Sequence, residues 1–149
     1  MSENPDLSTA RAPWHLWVIG IISLLWNAIG AFDYIMTETK NAEYMSNFTP
    51  EQLAFFYAIP WWAIACWAIA VWGGLLGSLL LLLRKRAAVT VFMVSFIAML
   101  AVTVQNFLLS NGMEAMGSAG MIAMSAAVFL ISPALLLYAR SLRGRGVLA

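Results

Sequence analysis

Four stretches without a charged residue constrain this chain more than any other feature: 12–32, 52–83, 87–113 and 115–139, of 21, 32, 27 and 25 residues. A helix needs roughly 20 apolar residues to cross about 30 Å of hydrocarbon, and each stretch supplies them. Composition agrees: of 149 residues, 62% are hydrophobic and 10% charged, where a soluble domain runs near half and a quarter. A soluble globular enzyme, a disordered chain, a disulfide-stapled domain and a nucleic-acid binder are excluded. The single cysteine, Cys66, forms no internal disulfide. The single histidine, His15, builds no nitrogen-rich metal site.

The spacing predicts an all-α four-helix transmembrane bundle over 14–139, with spans at about 14–34, 60–83, 87–109 and 117–139. Residues 1–13, polar and holding two prolines, read as a flexible cytoplasmic tail. They do not read as a signal peptide, because two acids face one arginine and the next apolar run is longer than an h-region. Residues 140–149 read as a basic cytoplasmic tail. Orientation follows from the basic residues. Arg11, Arg84, Lys85, Arg86, Arg140, Arg143 and Arg145 fall on one side, and only Lys40 on the other. Asp33, Glu38, Glu43, Glu51 and Glu114 join Lys40. Both termini are therefore expected in the cytoplasm, with two loops outside. The link Arg84-Lys85-Arg86 demands a tight hairpin.

In the first outer loop, Thr49-Pro50-Glu51-Gln52 has the form of a helix start. Threonine stands at the N-cap, proline at N1 and glutamine at N3, with Phe48 and Leu53 placed for a hydrophobic staple. Pro60 should kink or break the helix that begins there. The expectation is a short amphipathic outer helix over 50–59, with Phe55, Phe56, Tyr57, Trp61 and Trp62 in an aromatic belt, matched on the inner side by Trp14 and Trp17.

Helices in lipid associate through close packing and polar contacts, so small residues at three-four spacing mark the contact faces. Gly20, Ser23 and Gly30 do so on span one, Gly73 and Gly77 on span two and Ser125 on span four. Gly73 and Gly77 form a GxxxG pair, which also suits an interface between copies. Counting at about 1.5 Å per residue puts Asn27 level with Cys66, Trp67 and Ser125, and Asp33 and Tyr34 level with Gln105 and Asn106. Asn27, Asp33, Tyr34, Trp67, Gln105 and Asn106 are thus candidate ligand-binding residues for a neutral sugar or polyol. Interhelical contact, or solvation for Asp33, is the competing reading. Met113, Met116, Met121 and Met124 give a weak Cu(I) pattern, although methionine is also ordinary filler. No catalytic constellation appears, so neither enzyme activity nor a cofactor is expected.

The stretches WNAIGAFDYIMT, NFTPEQLAFFYAIPWW, VWGGLLGSLLLLLRKRAA and QNFLLSNGMEAMG resemble a group of small bacterial four-span inner-membrane proteins of unknown function, some bearing the label sugar transporter. The resemblance covers about Trp14 to Arg143. It implies family-motif positions at Asn27, Asp33, Tyr34 and Asn106. The functional expectation is a transport-type or solute-binding membrane protein acting as an oligomer among membrane lipid. The alternatives are an accessory subunit of a larger membrane complex and, more weakly, an outer-face copper or stress protein.

Overall fold

The computed structural model describes residues 11–149, apart from the side chain of Met116; most of the expected N-terminal tail lies outside them. Among the described residues every regular element is helical: α1 (Trp14–Glu38), α2 (Ala42–Met45), α3 (Pro50–Tyr57), α4 (Trp61–Leu82), α5 (Ala87–Phe107), α6 (Gly112–Met116) and α7 (Ala119–Gly144). The protein is a four-helix bundle, and α1, α4, α5 and α7 are each long and apolar enough to cross a membrane. It is a multi-pass membrane protein. The turn between α4 and α5 shares one end of the bundle with the start of α1 and the end of α7. This end carries the basic residues, and the other the described carboxylates.

Several helix ends differ from expectation. α1 continues a turn past Tyr34 to Glu38, and α7 runs past Ala139 to Gly144. Arg143 in the last turn of α7 favours that extension, because its charge meets the negative end of the helix dipole. The capping box at the start of α3 forms as expected. The Gln52 backbone N–H donates to Thr49 Oγ1 at 3.2 Å and the Thr49 N–H to Gln52 Oε1 at 3.0 Å. α3 ends at Tyr57, and Pro60 then caps α4 in an extended conformation. Proline therefore breaks the helix here rather than kinking it. Trp61 and Tyr57 are exposed, as the expected belt requires, but Phe55 is not. It is buried on Ala115 of α6, because α3 lies across the end of the bundle.

α4 is the central helix, packed along α1 on one side and α5 on the other, while α5 carries α7. Two adjacent pairs of small residues on α4 serve these two neighbours. Gly74 and Ser78 face α1, where Ser23 meets Ser78, Asn27 meets Gly74, Gly30 meets Val71 and Tyr34 meets Trp67. Gly73 and Gly77 face α5. A β-carbon at Gly77 would stand 2.7 Å from the Phe92 ring, and one at Gly73 would stand 3.1 Å from Ser95 Cβ. The GxxxG close approach is thus made to α5 of the same chain. Gly20 makes similar room for Leu82, whose Cδ2 would lie 2.5 Å from an added β-carbon.

The largest buried cluster lies at the basic end and includes Leu16, Leu81, Phe92, Ala139 and Leu142. The last residues belong to it, so 140–149 is not a free tail. Val147 and Leu148 are each 3% exposed. The Arg86 N–H donates to the Ala149 carbonyl at 2.9 Å, the Ala149 N–H to the Arg84 carbonyl at 2.8 Å, and Arg84 Nε to the Val147 carbonyl at 3.1 Å. Arg84 takes a left-handed backbone (φ 56°) to make this tight turn. By contrast, α7 buries no side chain before Leu135, leaving residues 119–134 on the periphery.

Candidate functional site

Within the apolar core, polar atoms gather at one level between α1 and α4. Ser78 Oγ donates to the Gly74 carbonyl at 2.8 Å, which leaves its lone pairs to accept from the Ser23 hydroxyl and, at 3.2 Å, from Asn27 Nδ2. The second Asn27 amide proton goes to the Ser23 carbonyl at 2.8 Å. Asn27 Oδ1 lies over Gly74, in the space that a β-carbon would fill. Ser23 and Ser78 are buried. Asn27 therefore bonds across the α1–α4 contact, about two turns deeper along α4 than the expected level of Trp67. The offset follows because Tyr34, about two turns further along α1 than Asn27, is the residue that stands level with Trp67. Ser95 is likewise committed, its hydroxyl donating to the Ala70 carbonyl at 2.6 Å.

The remaining candidates lie towards the acidic end. Tyr34 and Trp67 are brought together as an edge-to-face pair with centroids 4.9 Å apart. Asp33 accepts a hydrogen bond from the Tyr44 hydroxyl, and the Tyr44 ring packs between Phe32 and Phe48. Burial, together with the bond and charge of Asp33, pushes the Tyr44 phenol well above its ordinary range. α2 thus folds back as a cap on the end of α1. Gln105 is half-buried near the end of α5. Asn106 has a buried Oδ1 with no hydrogen-bond partner, and its carbonyl oxygen lies where a β-carbon at Gly112 would have to go. The structure joins Asn27 to Ser78, Asp33 to Tyr44 and Tyr34 to Trp67, at separate places rather than around one cavity.

The methionines are also dispersed in role. Met121 accepts from Gln52 Nε2 at 2.9 Å and packs with Phe55 and Ala115, while Met113 and Met124 are exposed. Ser125 donates to the Met121 carbonyl at 3.1 Å. Cys66 is half-buried and its thiol is free of any disulfide.

Two openings in the surface are apolar. One, of about 340 Å³, runs along the α4–α5 seam past Ile69, Trp72, Gly73, Thr90 and Val94. The other, of about 200 Å³, lies between α1 and α7. Two pairings lie outside the expected contacts. His15 Nδ1 meets the Tyr138 hydroxyl at 2.5 Å, tying α1 to α7 across 123 residues of chain. Ser78 is the partner of Asn27, and the signal for it is Gly74 and Ser78 as a second small pair beside GxxxG. No family model, no curated protein and no solved structure matches the chain.

Proposed function

We propose that this membrane protein is a non-transporting accessory or structural subunit, working through its helix faces rather than through a solute path. The observation that carries this reading is the internal commitment of the polar groups in the hydrocarbon region. Ser23, Asn27 and Ser78 bond one another, Ser95 bonds the α4 backbone, and the openings beside them are lined by apolar side chains. A path for a sugar or polyol would need amides and hydroxyls facing an aqueous cavity. The peripheral first half of α7 offers an apolar surface to a partner helix.

Native mass spectrometry of the full chain from mild detergent tests this reading, together with uptake of labelled neutral sugars and polyols into reconstituted vesicles. Stoichiometric retention of a second membrane protein, with uptake no higher than in empty vesicles, is expected. Saturable uptake that Asn106→Ala abolishes would overturn it.

The second reading, a solute-binding protein at the acidic end, draws on one observation: the unpaired Asn106 Oδ1. A buried amide oxygen without a donor is costly and suits a hydroxyl or water. The resemblance to proteins bearing a sugar-transporter label points the same way. Under either reading the basic-residue asymmetry supports both termini in the cytoplasm, and the resemblance supports a bacterial inner-membrane location.

A further inference from the structure

α1 and α7 part to leave the crevice of about 200 Å³, with Ile19, Ile22, Ser23 and Trp26 on one wall and Ile131 and Leu135 on the other. Ser23 lines it, yet the Ser23 hydroxyl is already committed to Ser78, so the crevice offers a guest only hydrocarbon surface. Towards the basic end the two helices close. Leu16 is fully buried there, and the His15–Tyr138 bond spans the gap. Trp26 stands 11 residues from His15. At about 1.5 Å per residue that is roughly 16 Å, close to half the hydrocarbon thickness. The crevice and its closed end therefore match the depth of one leaflet.

Charge identifies the kind of guest. Arg11, Arg84, Lys85, Arg86, Arg140, Arg143 and Arg145 all lie at the closed end, and the five described carboxylates lie at the other. Arg145 is the residue at the C-cap of α7, at the closed end. Trp14 and Trp17 are exposed at the same end, where indoles favour the headgroup layer. A basic mouth over an apolar slot suits an anion joined to a hydrocarbon tail.

We propose that the α1–α7 crevice holds an acyl chain of an anionic phospholipid from the leaflet at the basic end, with its phosphate beside His15, Tyr138 and Arg145. The lipid fills the space that direct α1–α7 packing leaves open, so it acts as a structural component of the bundle. This does not depend on the accessory reading and holds equally for a solute-binding protein.

Quenching by bromine-labelled lipids tests it on the full chain in phosphatidylcholine vesicles. Fluorescence of the protein minus that of Trp26→Phe isolates the Trp26 contribution. Brominated phosphatidylglycerol should quench Trp26 at a mole fraction about tenfold lower than brominated phosphatidylcholine does. Arg145→Gln should bring the two lipids closer together. Equal quenching of Trp26 by both lipids in the unaltered chain would overturn the proposal. So would a phosphatidylglycerol preference confined to the other tryptophans, which would place the lipid on the outer surface. Neither outcome requires Arg145→Gln to fold, and Trp26→Phe keeps an aromatic ring in the crevice wall.

Discussion

Asn27 Oδ1 occupies the position that a β-carbon would take at Gly74. Overpacking of this kind costs about 1–3 kcal/mol. Gly74→Ala should therefore lower the thermal midpoint of the purified protein. Gly30→Ala is the control, since its new methyl would meet Val71 Cγ1 at an ordinary 3.6 Å. It should leave stability unchanged or raise it by up to about 1 kcal/mol, because alanine is the better helix former. Equal responses would mean that the helix contact is looser than described.

The Asn27–Ser78 bond should appear as coupling in a double-mutant cycle. Asn27→Ala and Ser78→Ala each remove one side of it, and their effects should fall short of additivity by about 0.6–2 kcal/mol. Additive losses measured by unfolding in detergent would show that the two side chains act independently. Asn27→Ala is also expected to leave any solute-dependent stabilisation unchanged, because its amide faces α4.

Tyr44 makes the acidic-end cap sensitive to alkali. Its proton is held more tightly in the folded protein than in the unfolded chain, so its contribution is complete below the ordinary phenol value of about 10. That contribution declines as pH climbs from there towards the folded value. Titration of phenolate absorbance should show a late-ionising tyrosine that Tyr44→Phe removes. The same substitution should flatten the fall in thermal midpoint over that range.

Leu148 should behave as a core residue despite lying next to the last position of the chain. Leu148→Ala is expected to cost about 2–5 kcal/mol, the range for a buried leucine. Leu137→Ala, on the exposed side of α7, should cost far less. A comparable small loss at both positions would place 147–149 outside the bundle.

The positions of the four spans are legible in the sequence because charge-free length is a direct demand of the bilayer. The capping box is legible because its partners lie within one turn. Depth is harder to read: residue counting sets Asn27 against Trp67, whereas Tyr34 takes that level and Asn27 meets Gly74 and Ser78 about two to three turns further along α4. The paired glycines are ambiguous in another way. Gly73 and Gly77 do mark a close approach, but a spacing carries no label for which helix approaches, and here it is α5 of the same chain. Phe55 looks like a belt residue because an aromatic near a span end reads as interfacial until a crossing helix covers it. The His15–Tyr138 pair has no local signal at all, since it depends on how α7 leans.

That lean has a mechanical consequence. α7 is pinned at the basic end by Leu135, Leu142 and the bond to His15, whereas its first 16 residues bury no side chain. Sixteen residues make a rod of roughly 24 Å, so a tilt of only about 5° would carry the far tip about 2 Å. One contact with that tip is the thioether of Met121, accepting from Gln52 on α3. A soft sulfur contact at the acidic end is thereby one of the restraints on how far that half of α7 can swing.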